Sequence, residues 1–222
     1  MISAVGGGFV KDFPMFTTEY GVASLILKEI PYREVAFIHV LEVQEGGFDE
    51  HLKECVSFCR MVGAERILAK GHEKLEQYPL HSIVYKMSMP LVRQEPEACL
   101  WPVTEETVGE WREIYNKGMR PFDNHATMTS RDEKEIIRSG GAYFVHRDGK
   151  LLGIGWMEGN ELLALVSVVP GMGETVAKTL FTTVEDDQIT LTVVNTNERA
   201  IRLYERMGFI KTGEVSRWYR VM

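Results

Sequence analysis

The segment from Leu191 to Phe209, LTVVNTNERAIRLYERMGF, most constrains how this chain can fold. Its first residues are β-branched or apolar, as the residues of a strand usually are. Asn197 can cap a helix, because its side-chain oxygen can accept from the unpaired amides of the first turn. Gly208 can adopt the left-handed conformation that ends a helix, and Phe209 can then pack back onto it. The segment therefore predicts a strand, a tight turn and a short helix.

Apolar side chains form one face of that helix at helical spacing: Ala200, Leu203, Tyr204 and Met207. Taken alone, the pattern favours an ordinary strand–helix unit with a tyrosine on its buried face. The spacing N-x-x-A-x-x-L-Y-x-x-x-G-F, however, closely resembles the late motif of the GNAT superfamily of N-acetyltransferases. In that superfamily the helix lies beside the arm of coenzyme A (CoA). The resemblance implies that Asn197 and Ala200 contact the cofactor and that Tyr204 can protonate the departing thiolate.

A glycine-containing turn, Val169 to Ala177, precedes this motif by one helix and one strand. In the superfamily this turn holds the CoA pyrophosphate, since backbone amides at a helix N-terminus bind anions. The resemblance assigns six residues to it: Gly171, Gly173, Glu174, Thr175, Val176 and Ala177. The sequence departs from the family pattern, because one residue is missing and no Arg or Gln precedes Gly173. Thr175 also replaces the middle glycine, and Glu174 brings a carboxylate toward the phosphates.

The predicted elements over residues 97–222 follow the order β-α-α-β-β-β-α-β-α-β, which is that of the superfamily. Asp148 and Gly149 form a strong hairpin signal between two apolar segments. Leu162 to Val169 is almost continuously apolar and predicts a central strand buried on both faces. The last strand is predicted over Ser216 to Val221. The fold class is α/β (α+β), the GNAT acyltransferase fold, with a mixed and mostly antiparallel sheet flanked by helices.

Residues 1–90 are less clear and predict the order β-β-α-β-β, close to the second half of the C-terminal domain. We interpret them as a decayed or partial GNAT-like half in tandem with the domain at 97–222. An unrelated α/β domain with the same order is the alternative. This half contains no Asn-to-Tyr motif, so no second active site is expected there. The linker is predicted over Ser88 to Pro96, where two prolines disfavour regular structure.

Two valines and two carboxylates complete the candidate site. By resemblance, the backbone groups of Val166 and Val168 pair with the pantetheine arm, where a donor could polarise the thioester carbonyl. The amine needs a base, and Glu158 and Glu161 are candidates because they flank the turn into the central strand. Asp123 and His125, in the loop after the first helix, are further candidates. Water is another.

Two tryptophans and one threonine bear on the acceptor side of the site. Trp156 and Trp218 could border the acceptor cleft, although tryptophans fill cores more often than they bind ligands. Thr192 stands where protein N-terminal acetyltransferases often carry a glutamate. That difference argues against assigning to this protein the general base of those enzymes.

Composition limits the remaining function classes. The formal net charge of −7 argues against a nucleic-acid binder and mildly suits a cationic acceptor. No apolar segment is long enough to span a bilayer, and the first residues lack the pattern of a signal peptide. Cys55 and Cys59 share a helix face and are expected to be buried free thiols, so no metal is expected. These features predict a cytoplasmic protein, and a homodimer is left open.

The sequence thus predicts an enzyme that transfers an acetyl group from acetyl-CoA to a primary amine by direct attack within a ternary complex. The acceptor could be a small amine, an amino acid or a peptide end. One alternative is a non-catalytic acyl-CoA-binding or regulatory protein that kept the fold, which the altered phosphate turn favours. Another is an interaction module.

Overall fold

The computed structural model describes residues 14–123 and 125–222. Over these residues the chain forms two compact units, an N-terminal unit of residues 14–83 and 216–222 and a C-terminal unit that spans residues 84–215. Each unit has a mixed sheet flanked by helices. The sequence predicts a division at a linker near residues 88–96, whereas the chain passes between the units inside two strands.

The N-terminal unit contains all five elements that the sequence predicts, together with an extra strand and two single-turn helices. Its elements are β1 (Met15–Thr17), β2 (Gly21–Ile26), α1 (Ile30–Arg33), β3 (Val35–Val43), α2 (Phe48–Met61), β4 (Arg66–Lys70) and a 3-10 helix (Glu73–Gln77). Strand β5 (Leu80–Pro90) begins in this unit and ends in the C-terminal unit. The strand order here is β1-β2-β3-β4, followed by the last residues of β11 (Ile210–Arg220).

The C-terminal unit has the element order that the sequence predicts. Its elements are β6 (Cys99–Pro102), α3 (Val108–Met119), α4 (Glu133–Ser139), β7 (Ala142–Arg147), β8 (Lys150–Glu158), β9 (Glu161–Ser167), α5 (Gly173–Phe181), β10 (Gln188–Val194), α6 (Glu198–Met207) and the first part of β11. The strand order is β6-β7-β8-β9-β10-β5-β11. Strands β9 and β10 run parallel, and the pairs β6–β7, β7–β8, β8–β9 and β10–β5 are antiparallel.

Three details differ from the sequence-based predictions. Ser88 to Pro90 belong to β5 and pair with β10, so the extended connection is shorter than predicted. Strand β11 begins at Ile210 rather than at Ser216, because Gly213 lies within it without ending it. Strand β9 is not buried on both faces throughout, since Leu163, Leu165 and Val166 remain partly exposed. The open side of β9 is a feature of the candidate site.

Helices cover both faces of the C-terminal sheet. The core under α3 and α4 is built around Trp111, Ile136 and Trp156. The opposite core, under α5 and α6, includes Leu180, Ile201 and Phe209. Helix α5 comes close to the sheet because β8 has glycine at 153 and 155. A Cβ on Gly155 would come within 2.1 Å of Leu180 Cδ1, so a larger residue there would displace the Leu180 side chain that packs against the strand.

The turn between β7 and β8 is the tight hairpin that the sequence predicts. Asp148 has a φ of 52° and Gly149 a φ of 73°, the two positive values that a type I′ turn requires. In the N-terminal unit, Cys55 and Cys59 are free and buried under the sheet, as predicted. Burial raises the pKa of both thiols to about 12, so neither is a nucleophile at neutral pH.

Candidate active site

Strands β9 and β10 separate after two residue pairs, and this separation creates the candidate site. Glu161 pairs with Thr190 and Leu162 with Leu191. The residues that come next, 163–167 on β9 and 192–194 on β10, are all described and do not pair with each other. Two parallel strands that diverge leave unpaired backbone groups and a gap in the sheet. An extended ligand can fill such a gap by pairing as a strand would.

A cleft of about 640 Å³ occupies this gap, a size typical of small-molecule sites. Its lining comes from both faces of the sheet. Gly171, Gly173 and Glu174 lie at the N-terminus of α5 on one face, while α6 contributes one wall. Phe122 and His125, in the loop after α3, line the other face. The cleft therefore offers two approaches to the same gap, as a two-substrate reaction needs.

The structure brings seven of the thirteen predicted site residues to this cleft: Val166, Gly171, Gly173, Glu174, Asn197, Ala200 and Tyr204. The other six do not line it. Val176 and Ala177 are fully buried in the core, and Thr175 points its hydroxyl at Glu97 Oε2, 3.2 Å away. The amide of Val168 donates to the carbonyl of Leu152 at 2.9 Å. Glu158 and Glu161 stand at the closed end of the gap.

The turn before α5 keeps free amides despite its departure from the family pattern. Gly171 has a φ of 84°, which lets the chain reverse direction, and no side chain caps the helix. The first amides of α5 therefore remain available to an anion, and the helix dipole favours negative charge there. Glu174 would oppose such an anion. Its carboxylate is paired with Lys178 Nζ at 2.8 Å, which offsets part of its charge.

Helix α6 begins and ends as its sequence predicts. The Oδ1 atom of Asn197 accepts from the amide of Ala200 at 3.1 Å, which confirms the N-cap. Gly208 has a φ of 99°, and its amide donates to the Glu205 carbonyl at 3.1 Å. The amide of Phe209 donates to the Tyr204 carbonyl at 3.0 Å, which completes a Schellman motif. These caps fix Tyr204 on the buried side of the helix.

Tyr204 is buried, with 8 % of its surface exposed, and it lines the cleft. Its ring packs on Phe209 with the centroids 5.5 Å apart. Among the described residues, no group forms a hydrogen bond with its hydroxyl, unlike a core tyrosine bonded to backbone. Burial raises the pKa of Tyr204 above its usual value of 10.0, so the hydroxyl stays protonated at neutral pH.

Of the candidate bases, His125 lines the cleft, on the face opposite α5 and α6. Glu161 is half-buried at the closed end of the gap, directly before Leu162, which lines the cleft. Burial raises the pKa of Glu161 above its usual 4.5; Lys86 lowers it and Glu158 raises it further. A higher pKa makes a carboxylate a better base near neutral pH. Glu158 itself is exposed, and Asp123 does not line the cleft.

The two tryptophans do not border the cleft. Trp156 is 2 % exposed and packs edge-on against Trp111, with the centroids 6.2 Å apart. Trp218 is fully buried in the N-terminal unit, where it packs against Phe37. Both are therefore buried core residues. The acceptor-site interpretation of these residues is therefore wrong.

Three arginines that belong to no predicted site motif also line the cleft: Arg199, Arg202 and Arg206. Their spacing of three and four residues places them on one strip of α6, within about 60° around the helix axis. Arg202 is paired with Glu198 at 2.9 Å, while Arg199 and Arg206 form no ion pair with any described residue. The i, i+3, i+7 spacing was visible in the sequence but lay outside the apolar face.

Within residues 14–123 and 125–222, no cluster of three or more His, Cys, Asp or Glu side chains is arranged to bind a metal ion. None of the helices in the described part of the chain has the length and hydropathy needed to span a bilayer.

Comparison with known proteins supports the same fold. Residues 169–219 match the family model of FR47-like proteins, a range that starts just before the turn and α5 and includes β10, α6 and most of β11. A comparison with curated protein sequences found no match.

Solved structures of similar fold align with nearly the whole chain. A functionally unknown conserved protein from Staphylococcus epidermidis is 10 % identical with a TM-score of 0.60, over 95 % of both chains. A GCN5-related N-acetyltransferase from Sphaerobacter thermophilus is 11 % identical with a TM-score of 0.53, over 90 % of this chain and 76 % of that one. A tandem GNAT protein from the clavulanic acid biosynthesis pathway is 14 % identical with a TM-score of 0.56, over 90 % of this chain and 78 % of that one.

These findings confirm the resemblance that the motif around Asn197 and Tyr204 predicts, and the tandem protein fits the interpretation of the N-terminal half. The chain has the GNAT fold and carries an FR47-like segment over residues 169–219.

Proposed function

We propose that this protein transfers an acetyl group from acetyl-CoA to a primary amine by direct attack within a ternary complex. The observation that carries the proposal is the gap between β9 and β10, with the unbonded hydroxyl of Tyr204 at its wall. A thioester carried by an extended arm can enter such a gap as an added strand. The amine then reaches it from the face lined by Phe122 and His125.

The cofactor is proposed to lie along α5 and α6. The free amides at the N-terminus of α5 suit its pyrophosphate, since a helix N-terminus favours phosphate. The unpaired backbone of β9, around Val166, suits the amides of the pantetheine arm. Asn197 uses Oδ1 for its own helix cap, so its Nδ2 group is the part left to donate to the arm.

In the chemical step, the amine nitrogen attacks the thioester carbon, the C–N bond forms and the C–S bond breaks. The nitrogen loses its proton to the base, and the departing thiolate takes a proton from water to form CoA thiol, after which the base returns its proton to solvent. Tyr204 donates a hydrogen bond to the sulfur as negative charge develops there. Because burial raises its pKa, Tyr204 holds its proton more tightly than a thiol with a pKa near 8.5 does. Its contribution is therefore stabilisation of the leaving sulfur.

The base is proposed to be His125, because it lines the acceptor side of the cleft and imidazole is the side chain best suited to accept a proton near neutral pH. Glu161 is the second candidate, since its raised pKa brings it closer to neutral pH. Neither group forms a covalent intermediate in this mechanism. The described cysteines are remote from the chemistry: two are buried in the N-terminal unit, and Cys99 does not line the cleft.

A non-catalytic acyl-CoA-binding protein is the second candidate function, and Glu174 at the phosphate end of the cleft is the observation that favours it. Calorimetric titration with acetyl-CoA, followed by turnover on a panel of primary amines, distinguishes the two. Binding with turnover supports the transferase. Binding without turnover on any amine favours the second function, and no binding of acetyl-CoA contradicts both.

A further inference from the structure

The strip of arginines on α6 adds a feature that the proposed reaction does not use. Arg199 and Arg206 are seven residues apart, about 10.5 Å along the helix axis, and point within about 20° of each other. On the helical wheel, Tyr204 lies well away from this direction, toward the sheet. The arginines therefore line the outer part of the cleft, away from the reacting thioester.

Their position relative to the phosphate turn is fixed by Leu203. A Cβ added to Gly173 would lie 3.1 Å from Leu203 Cδ2, so α6 packs directly against the start of α5. Leu203 is adjacent to Arg199 and Arg206 on the helix surface. The cleft thus has two separate groups of anion-binding donors side by side, the free amides of α5 and the guanidinium groups of α6.

The charge balance of the cleft supports a second anionic group on the ligand. Glu174 is the one acidic side chain among the described lining residues, and it pairs with Lys178. Arg199 and Arg206 have no such partner among the described residues. A phosphate dianion bound on this strip would neutralise the unpaired positive charge of both side chains, because guanidinium groups bind phosphate oxygens well.

We infer that the α6 arginines bind the 3′-phosphate of CoA, so that the protein requires the phosphorylated nucleotide and discriminates against thioesters that lack it. This inference rests on the proposed use of CoA. The amides of α5 take the pyrophosphate, and Arg199 and Arg206 take the second phosphate. The turn has no arginine before Gly173, and the arginines of α6 provide the positive charge instead.

The test compares the affinity of CoA with that of 3′-dephospho-CoA, measured by calorimetry on the full chain. The variants are Arg199→Gln, Arg206→Gln and the double variant. Arg138→Gln is the matched control, because Arg138 is an exposed arginine on α4 that does not line the cleft. The side chains of Arg199, Arg206 and Arg138 are all exposed, so each variant should unfold at the same temperature as the original protein.

We expect the original protein and Arg138→Gln to bind CoA at least tenfold more tightly than dephospho-CoA. The double variant should bind the two equally, with dephospho-CoA affinity nearly unchanged. Equal affinities in the original protein, or discrimination that survives in the double variant, would overturn the inference and leave the proposed function intact. Failure of both ligands to bind would overturn the proposed function as well.

Discussion

The N-terminal and C-terminal units both contain a parallel strand–helix–strand segment, yet the segments differ in how long the strands stay together. In the N-terminal unit, β3 and β4 pair over five residues, from Val35 with Arg66 to His39 with Lys70. In the C-terminal unit, β9 and β10 pair over two residues and then separate. The same element order thus gives a continuous sheet in one case and a cleft in the other.

The helix after the second strand also differs between the units. After β4, His72 caps a five-residue 3-10 helix and stacks on Phe48 at the start of α2, with the ring centroids 4.4 Å apart. After β10, Asn197 caps a helix of ten residues that carries Tyr204. Both helices begin with a polar N-cap residue. The 3-10 helix is only five residues long, so it has no position that corresponds to Tyr204 of α6. Strand separation and helix length together, rather than element order, distinguish the two units.

The largest expected effect comes from removing one oxygen atom in the C-terminal unit. Tyr204→Phe should lower kcat about 100-fold, because the leaving sulfur loses its donor. Acetyl-CoA affinity should stay within about twofold, since the ring keeps its packing. Tyr78→Phe in the N-terminal unit is the matched control, and steady-state kinetics measure both. Unchanged turnover in Tyr204→Phe would show that the Tyr204 hydroxyl does not contribute to catalysis, so that this side chain would not distinguish the C-terminal unit from the N-terminal one.

The two candidate bases can be separated by their pH profiles. His125→Gln should lower kcat/KM roughly tenfold or more and remove the fall in rate at acidic pH that protonation of the base causes. Glu161→Gln should have the smaller effect, because Glu161 does not line the cleft. If Glu161→Gln instead abolishes the pH dependence while His125→Gln keeps it, the base is the carboxylate at the closed end of the gap.

Narrowing the gap should make the C-terminal unit more like the N-terminal one. A Cβ at Gly118 would lie 2.5 Å from Val166 Cγ1, so Gly118→Ala should push Val166 and weaken acetyl-CoA binding about tenfold. Gly109→Ala, in the same helix, meets no atom within 4 Å and should leave binding unchanged. It should raise the free energy of unfolding by about 0.5–1 kcal/mol. Equal binding by both variants would show that Val166 does not define the gap.

Acid should affect the N-terminal unit first. Burial and the nearby charge of Lys70 lower the pKa of His39 from 6.5 to about 4, and burial lowers that of His51. Between pH 6.5 and 4 the unfolded chain therefore binds more protons than the folded one, so stability falls as pH falls. Hydrogen exchange of β3 and β4 should accelerate across this window more than that of β7 and β8. His39→Gln should reduce the acceleration, and an unchanged profile would contradict the assignment.

The smallest expected effect concerns the phosphate end of the cleft. Glu174→Gln removes the one lining carboxylate and releases Lys178, so acetyl-CoA affinity should rise about threefold at low salt. The gain should shrink as ionic strength rises. Glu135→Gln on α4, outside the cleft, is the control. Weaker binding in Glu174→Gln would mean that this carboxylate helps to hold the ligand.

Local signals made much of the fold predictable. The Asn197 cap, the Gly208 stop and the Asp148-Gly149 turn each depend on a few neighbouring residues, and each is confirmed. The length of β11 and the strand membership of Ser88 to Pro90 depend on partners far along the chain, which sequence periodicity does not contain.

The candidate site was predictable where residues belong to a local motif. Asn197 and Tyr204 reach the cleft together because they share one helix. Residues chosen from neighbouring strands, such as Glu158, depend on where the strands separate, and the sequence does not specify that point. The α6 arginines were missed because charged residues on a helix usually face water, and their role depends on the cleft beside them.

The path of the last strand has a consequence for how the protein is made. Residues 216–222 belong to the N-terminal unit, where Tyr219 pairs with Ala69 and Trp218 packs against Phe37. These residues follow the whole C-terminal unit in the sequence, so they leave the ribosome after it. Residues 14–83, although synthesised first, therefore keep an incomplete sheet until the C-terminal unit has been made, and a chain cut before Trp218 would leave that core open.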